Sequence, residues 1–301
     1  MSDQTAAASR ADEPIVRLRH PWRWVAVGVI AVYLAVLVKF LVTSDELRWD
    51  LVAGYLFEDS VLRGVLRTLE LTVVAMTVGV VLGTVLAVMR LSENPVLRWT
   101  SGVYVWIFRG TPILVQLLFW FFLASVLPEI SLGIPFGPSL ASWSTNDLIT
   151  PFMAAILGLG LNEAAYMAEI VRAGIGGVDK GQVEAAEALG MGPVTTYRRV
   201  VLPQAARLII PPTANETITM LKQSSLVIVL GMLDLLGTAQ AIYGRNFHQI
   251  PLLLVASIWY LAITSVLTLG QLRLEKRMSR GIAPTSVRTK AAAPREQGAI
   301  A

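Results

Sequence analysis

The chain has 301 residues, of which 54% are hydrophobic and only 15% are charged. Soluble globular domains carry roughly a quarter charged residues, so the composition excludes an ordinary soluble domain and indicates a protein that resides in lipid. The net charge of +4 does not indicate nucleic-acid binding, because basic residues alternate with apolar segments along the chain. There is no cysteine, and His20 and His248 lie in separate polar segments. We therefore expect no thiolate chemistry and no histidine-based metal site.

The N-terminal residues 1–23 are polar and predict a cytoplasmic tail. The apolar stretch that follows, at residues 24–42, is too long for the hydrophobic region of a signal peptide and has no small-residue cleavage site after it. We therefore predict a retained transmembrane helix at residues 24–43. Lys39 lies near its outer end, where its stem can reach the membrane interface.

Six segments are apolar enough to cross a bilayer, which takes about 20 residues. They lie at residues 24–42, 69–89, 113–127, 149–170, 206–242 and 252–272. As one helix the fifth would measure ~55 Å at 1.5 Å per residue, well beyond a hydrocarbon core of ~30 Å. It also contains Pro211-Pro212 and a polar run at residues 222–225. It predicts a bent or broken helix pair with one net crossing.

Basic residues concentrate in every other connection. They lie in the N-terminal tail, after the second and fourth spans, and after the sixth, whereas the intervening connections are acidic or nearly uncharged. Cytoplasmic segments of membrane proteins carry an excess of Lys and Arg. The predicted fold class is therefore an all-α membrane protein of six transmembrane helices with both termini in the cytoplasm. Residues 278–301 predict a disordered cytoplasmic tail.

The most informative pattern lies in the polar segment after the fourth span. It consists of Gly181, Gln182, Glu184, Ala185, Ala186, Gly190, Leu202 and Pro203. Residues 183–189 predict a short amphipathic helix whose alanines allow another surface to approach closely. Gly190 can end that helix with a positive φ, and Pro203 is predicted to start the next element. The result is a helix–turn–helix projection suited to docking on a partner, although an ordinary amphipathic surface helix is the alternative.

This pattern resembles the EAA signature of permease subunits of bacterial binding-protein-dependent ABC importers. Other segments resemble the polar amino acid branch, which transports histidine, glutamine, glutamate or arginine: residues 109–112 with Gln116, 162–174, 203–205 and 222–226. The resemblance covers roughly residues 64–277 and implies a five-helix type I importer core with its coupling segment at 180–204. The helix at residues 24–43 is then an addition, and Gln223 replaces an acidic or Thr-like residue of many relatives.

The resemblance implies a transport mechanism and a set of partners. A permease of this kind imports a polar amino acid by alternating access across the bacterial plasma membrane. Its implied partners are two ATPase subunits, a second permease that is identical or related, an extracytoplasmic solute-binding protein and membrane lipid. The sequence has no GK[ST] phosphate-binding loop, so we expect this chain to bind no cofactor and to leave ATP hydrolysis to the partner.

Ionisable residues inside spans cost ~2.5–3.5 kcal/mol each on insertion scales and mark functional sites by default. An amino acid needs an acceptor for its ammonium and a donor for its carboxylate, which a buried carboxylate with a lysine or a helix N-terminus can supply. The candidate substrate-pathway residues are Thr111, Gln116, Glu163, Tyr166, Asn215, Glu216 and Lys222. The candidate structural and gating residues are Arg109, Gly110, Pro112, Glu169 and Arg172. Pairing within the chain, as for Glu169 with Arg172 three residues later, is the alternative for these charges.

Two further features concern packing rather than chemistry. Gly79 and Gly83 form a GxxxG pattern that predicts close helix contact, and the aromatic run at residues 119–122 predicts a lipid-facing or interfacial position. An ion-coupled secondary transporter remains open, but it would show broken helices in both halves. A membrane-embedded enzyme would need a catalytic constellation that the isolated Glu and Lys residues do not supply.

Overall fold

The computed structural model describes residues 22–133 and 139–278. Its elements in chain order are α1 (Trp22–Thr43), α2 (Trp49–Leu56), α3 (Asp59–Leu91), α4 (Pro95–Gly110), α5 (Ile113–Phe121), α6 (Leu123–Val126), β1 (Glu129–Gly133), β2 (Ser139–Ser144), α7 (Thr145–Leu148), α8 (Pro151–Gly176), α9 (Lys180–Ala188), α10 (Pro193–Thr196), α11 (Leu202–Gln223), α12 (Leu235–Asn246) and α13 (Gln249–Met278). Residues 1–21 of the predicted N-terminal tail and residues 279–301 of the predicted C-terminal tail lie outside these described ranges.

The chain divides into two compact units, with the boundary after Val52. In the first unit, α1 is an uninterrupted apolar helix of 22 residues, and it covers the span predicted at residues 24–43. A short 3₁₀ turn follows, and Arg48 turns the chain with a positive φ of 41°. The indole N–H of Trp49 then donates to the carbonyl of Leu41 at 2.8 Å. This bond ties the start of α2 to the end of α1.

Four described helices are long and apolar enough to cross a membrane, namely α1, α3, α8 and α13. Two bent pairs raise the number to six if each pair makes one crossing: α4 with α5, at 101°, and the stretch Pro193–Leu230 with α12, at 44°. The mostly helical, multi-span class is therefore confirmed. The count of six crossings and the cytoplasmic position of both termini stay predictions.

The third predicted span, at residues 113–127, is not one helix. α5 ends at Phe121, and the four-residue α6 follows it after Phe122. The 16-residue α4, which the sequence analysis left within a basic connection, precedes α5 and meets it at a sharp bend. Thr111 and Pro112 separate the two helices, since proline disfavours a helical conformation in the residue before it.

The fold departs from the predicted all-helical class in one place among the described residues. β1 and β2 pair as an antiparallel ladder, with Glu129 opposite Ser144 and Ile130 opposite Trp143. The segment at residues 129–132 alternates polar and apolar residues, which is a strand pattern. It was missed because the search for spans weighs only long apolar runs.

The fifth predicted span is broken as expected, but not at its proline pair. α11 continues through Pro211 and Pro212 as far as Gln223. A 3₁₀ segment, Ser224–Leu230, follows, and Gly231 ends it with a φ of 72°. The break therefore falls at the polar run and the glycine beyond it.

Close packing of α3 against α8 forms the centre of the second unit. A Cβ added at Gly83 would lie 2.8 Å from the carbonyl oxygen of Ala164 and 3.0 Å from the backbone nitrogen of Ala168. On the facing helix, a Cβ at Gly160 would lie 2.9 Å from a methyl group of Val78. The predicted GxxxG contact is therefore confirmed. Fully buried Leu71, Leu117 and Leu159 belong to the main apolar core around this pair.

We expect Gly83→Leu to destabilise the fold, because the new side chain would meet the backbone of α8. Overpacking of this kind costs ~1–3 kcal/mol and should lower the melting temperature of the detergent-purified chain. Gly270→Leu on α13 is the matched control, since a Cβ at Gly270 meets nothing within 4 Å. Equal losses in the two variants would contradict the role of this close approach.

Candidate functional site

The bend between α4 and α5 is fixed by side-chain hydrogen bonds. Gln116 is 7% exposed, and its amide donates to the carbonyl of Phe108 at 2.9 Å, to the hydroxyl of Thr111 at 2.7 Å and to the carbonyl of Thr111 at 3.1 Å. Asn162 of α8 donates to Phe108 at 2.8 Å and to the Gln116 side-chain oxygen at 3.2 Å. The two amides thus satisfy carbonyls that the bend releases from helical bonding.

This bracing places Thr111 and Gln116, both predicted on the substrate pathway, inside a structural network. Asn162 belongs to it as well, although the sequence analysis named it only within a family-like segment. A buried amide beside a Gly-Thr-Pro break is a signal that could have identified this role, since freed backbone groups inside a membrane must find partners. Gly110 ends α4, and Pro112 precedes α5.

The bend presents Arg109 to α8. Its guanidinium lies over the ring of Tyr166, 5.1 Å from the ring centroid, a cation–π arrangement. Arg109 also interacts electrostatically with Glu169 of α8 and Glu216 of α11. One cation therefore faces an aromatic ring and two carboxylates from two helices.

These groups line a cavity of about 700 Å³ between α4, α8 and α11. Its lining consists of Arg109, Tyr166, Glu169, Ile170, Ala173, Gly174, Gly177, Leu208, Pro212 and Glu216. Pockets for small molecules occupy ~300–1,000 Å³ and combine apolar walls with a few placed polar groups. This cavity has that character, with charges of both signs on its wall.

Glu163 lies close to the cavity but is not part of its lining. It is 2% exposed and faces Gly79 of α3, where an added Cβ would lie 2.7 Å from its own Cβ. Its Oε1 atom has no hydrogen-bond partner among the described residues, and its carboxyl interacts electrostatically with that of Glu216. A buried, unpaired carboxyl beside the cavity keeps Glu163 a candidate for the substrate pathway.

Glu169 is held by two arginines. Its Oε2 accepts from Nη2 of Arg172 at 2.7 Å and from Nε at 3.2 Å, so the structure shows the pairing that the spacing suggested. Nε of Arg90, at the end of α3, lies 3.2 Å from Oε1 as an ion pair without hydrogen-bond alignment. Sequence analysis missed Arg90, because a basic residue at a helix end was read only as a sign of orientation.

The other predicted pathway residues lie on α11. Glu216 lines the cavity, whereas Asn215 and Lys222 are exposed and lie outside its lining. Lys222 makes no ion pair within the described ranges. Their assignment to the pathway stays a prediction.

The break after α11 is also satisfied by side chains. The backbone N–H of Leu235 donates to the hydroxyl of Thr68 at 3.0 Å, and the carboxylate of Asp234 accepts from the N–H of Gly237 at 2.8 Å. Tyr260 of α13 donates to the same carboxylate at 3.3 Å. This break is thus tied to α3 and α13.

The predicted coupling segment forms the expected helical projection. Asp179 caps α9 by accepting from the N–H of Gly181 at 2.7 Å. At the other end Gly190 adopts a φ of 75°, with bonds from Gly190 to Glu187 at 2.9 Å and from Met191 to Ala186 at 3.0 Å. These two bonds make a Schellman motif. The positive φ predicted at Gly190 is confirmed.

Most of the predicted coupling residues of this projection are exposed. Gln182, Glu184 and Ala185 are exposed, whereas Ala186 is 3% exposed and lies on the buried side of α9. Leu189 is 82% exposed at the tip. A small-residue helix with an exposed leucine at its end is suited to insertion into a cleft on another protein.

Pro203 lies in the first turn of α11, as predicted, but α11 is continuous with the helix before it. The helix begins at Pro193 and passes through a π-helical turn, Tyr197–Val201, into α11. The N–H of Leu202 donates to the carbonyl of Tyr197 in this turn. Proline at 203 has no N–H to donate, and the wider turn before it accommodates that loss. Leu202 and Pro203 are exposed there.

Residues 79–280 match the family described as the binding-protein-dependent transport system inner membrane component. The chain belongs to this family. It is 48% identical over 286 residues to the arginine transport system permease protein of Corynebacterium glutamicum, across 94% of this chain and 89% of that one. It is 35% identical over 244 residues to the L-cystine transport system permease protein of Bacillus subtilis, across 81% and 96% of the two chains.

A solved crystal structure of an amino acid ABC transporter with histidines matches with a TM-score of 0.62 and 35% identity, over 72% of this chain and 94% of that one. The resemblance drawn from the EAA pattern is confirmed. The chain is thus a membrane-embedded ABC permease, with ATP hydrolysis on separate ATPase chains, and the ion-coupled alternative is not supported.

Gln116→Met should loosen the bend between α4 and α5 while keeping the side-chain volume. It removes three donated bonds and leaves buried carbonyls short of partners, each worth ~1–3 kcal/mol. We expect a lower melting temperature and faster hydrogen exchange around residues 108–113. Gln249→Met at the exposed start of α13 is the control. An unchanged exchange pattern in Gln116→Met would refute the bracing role.

Gly190→Ala should impair coupling more than folding. A left-handed conformation costs a non-glycine residue ~1–2 kcal/mol, which would distort the end of α9. Gly192→Ala is the matched control, because Gly192 has a φ of −69° and free space around a Cβ. We expect transport with the ATPase to fall several-fold only in the first variant. Equal transport by both would contradict the need for this turn.

Proposed function

We propose that this chain is the permease through which an ABC importer moves a polar amino acid across a bacterial inner membrane. The observation that carries the proposal is the cavity between α4, α8 and α11, which combines Arg109 with Glu216 and Glu169. A free amino acid has one carboxylate and one ammonium group, and the wall of this cavity offers a partner for each. The named relatives transport arginine and L-cystine, which supports this substrate class.

Arginine is the first substrate to test. Its side chain adds a second cationic group, and two carboxyl groups at the cavity, those of Glu163 and Glu216, make no ion pair within the described ranges. Glu216 lines the wall and interacts electrostatically with Arg109. Glu163 is buried beside it, and its Oε1 atom has no hydrogen-bond partner among the described residues. In this arrangement Arg109 orients the substrate carboxylate and Glu216 receives a cationic group.

The transport cycle follows from the family and from the projection at α9. One chain supplies half of a pathway, so a second permease, identical or related, completes it. Two ATPase subunits engage residues 180–204, and a solute-binding protein delivers the amino acid to the opposite face. Closure of the ATPases on ATP moves the projection and rocks the permeases between outward-open and inward-open states. The excess of Lys and Arg in alternate connections supports a cytoplasmic position for α9.

Glu216→Gln tests the role of the cavity. Loss of a charged hydrogen bond costs ~1.5–3 kcal/mol, so we expect the KM for uptake of radiolabelled arginine to rise about tenfold or more. The measurement uses cells or proteoliposomes with the candidate ATPase and binding protein. Glu93→Gln, in the exposed connection between α3 and α4, is the control.

A panel of amino acids is measured with and without the ATPase in the same assay. ATPase-dependent uptake of a single polar amino acid supports the proposal and identifies the substrate. Unchanged kinetics in Glu216→Gln would remove this residue from the pathway, and uptake without any ATPase would overturn the importer mechanism.

A further inference from the structure

A second cavity, of about 640 Å³, lies on the outer surface of α3, α4 and α8 at their basic ends. Its arginines come from three helices: Arg90 from α3, Arg98 from α4 and Arg172 from α8. Trp99 and Trp106 of α4 line it too, and they are 70% and 75% exposed. Arginine and tryptophan together are typical of the membrane interface.

The arginines of this groove are not neutralised within the described residues. Glu169 is the one carboxylate in contact with them, and it pairs with both Arg90 and Arg172. Arg98 makes no ion pair in the described part of the chain. Three guanidinium groups therefore face one carboxylate, which leaves an excess of about two positive charges. An anion is the missing partner.

Polarity changes along the groove in a way that fits a lipid. Arg98 lies near the start of α4, whereas Trp106 lies two turns further, about 12 Å along the helix axis. Val103 lines the wall between them. The groove thus presents cations at the helix ends and an apolar, aromatic wall towards the middle of the membrane. A free anion would need only the cationic end of the groove and not its apolar, aromatic wall.

Gly102 provides the room at the basic end. A Cβ at this position would lie 3.0 Å from Nη1 of Arg90, so the absence of a side chain allows that guanidinium to extend beneath α4. The Nε atom of Arg90 lies next to Glu169, whereas the Nη1 atom of the same guanidinium lies next to Gly102. A larger residue would fill the space between Arg90 and Arg98.

We propose that this groove binds an anionic phospholipid of the leaflet on the coupling-segment side, with its phosphate on Arg98, Arg90 and Arg172. Guanidinium groups bind phosphate through paired N–H donors. Basic pockets between transmembrane helices on the cytoplasmic side are suited to anionic headgroups. The acyl chains then lie along Val103 and Trp106. This inference concerns the lipid-facing surface and does not depend on the transported substrate.

The site also reaches the substrate cavity through Glu169. Arg90 and Arg172 line the lipid groove and pair with Glu169, which lines the cavity on the other side. A phosphate on the two arginines adds a second anion to the same cations. Lipid occupancy therefore weakens their attraction for Glu169 and changes the charge on the cavity wall.

The test is a lipid titration of the purified full-length chain followed by native mass spectrometry. We expect phosphatidylglycerol to bind several-fold more tightly than phosphatidylcholine with the same acyl chains. Arg98→Gln should weaken phosphatidylglycerol binding about fivefold, since each basic residue near an anionic surface contributes ~1 kcal/mol. Gly102→Leu should weaken it at least as much without any change of charge.

Arg63→Gln is the matched charge control, at the opposite end of α3. It should leave phosphatidylglycerol affinity within about twofold of the unmodified chain. Size-exclusion elution and the melting temperature in lipid-free detergent check that each variant folds. Arg98 is exposed, so its replacement keeps the test valid even if Gly102→Leu misfolds.

Three kinds of outcome would overturn the proposal. The first is a lack of selectivity, seen either as equal affinity for the two lipids or as equal affinity in Arg98→Gln and Arg63→Gln. The second is displacement of phosphatidylglycerol by millimolar inorganic phosphate, which would identify a free-anion site. The third is unchanged lipid binding in Arg98→Gln together with loss of the co-purifying ATPase, which would assign the groove to a protein contact.

Discussion

The need to satisfy every backbone polar group inside lipid is the constraint on which this structure depends. A continuous helix meets that need by itself, but a transport pathway requires helices that bend and end within the membrane. Here each interruption has its own side-chain partners. The side-chain amides of Gln116 and Asn162 donate hydrogen bonds to a carbonyl freed where α4 meets α5. The hydroxyl of Thr68 accepts a hydrogen bond from the N–H of Leu235 after the break beyond α11. Backbone geometry thus explains the buried polar side chains of Gln116, Asn162 and Thr68.

Small residues are the second condition for this arrangement. Without a hydrophobic force between helices in lipid, close van der Waals contact between backbones supplies much of the attraction. Gly83 lets α3 approach α8 at backbone distance, and Gly79 opposite Glu163 provides space for a buried carboxyl. At Gly64 a Cβ would lie 2.9 Å from the hydroxyl of Thr238, so the same helix also brings the break before α12 close. α3 therefore positions both the cavity wall and the second break.

Sequence reasoning succeeded where a single local rule controls the outcome. Hydropathy located the long spans, and the spacing around Glu184-Ala185-Ala186 located α9 and the positive φ of Gly190. It failed where two rules compete. The apolar run at residues 113–127 satisfies the hydropathy rule, yet Gly110-Thr111-Pro112 and the amide of Gln116 impose a sharp bend before it. Pro203 does lie in the first turn of α11, but the π-turn that joins α11 to the helix before it was not predicted. Pairings distant in sequence, such as Arg90 with Glu169, have no local signal at all.

Glu169 shows why the charges of this protein are best understood as one network rather than as separate pairs. Read from the sequence, it forms an i, i+3 pair with Arg172, and in isolation such a pair contributes little. In the folded chain it lies between two faces of the bundle: it lines the cavity between α4, α8 and α11, while its two arginine partners line the basic groove on α4. A change of charge on either face alters the electrostatic potential on the other, since both faces share the same three groups. Arg109 interacts electrostatically with both Glu169 and Glu216, and Glu216 in turn interacts with the buried carboxyl of Glu163. The cavity wall and the surroundings of α4 are therefore linked by electrostatics through Glu169 and its two arginine partners.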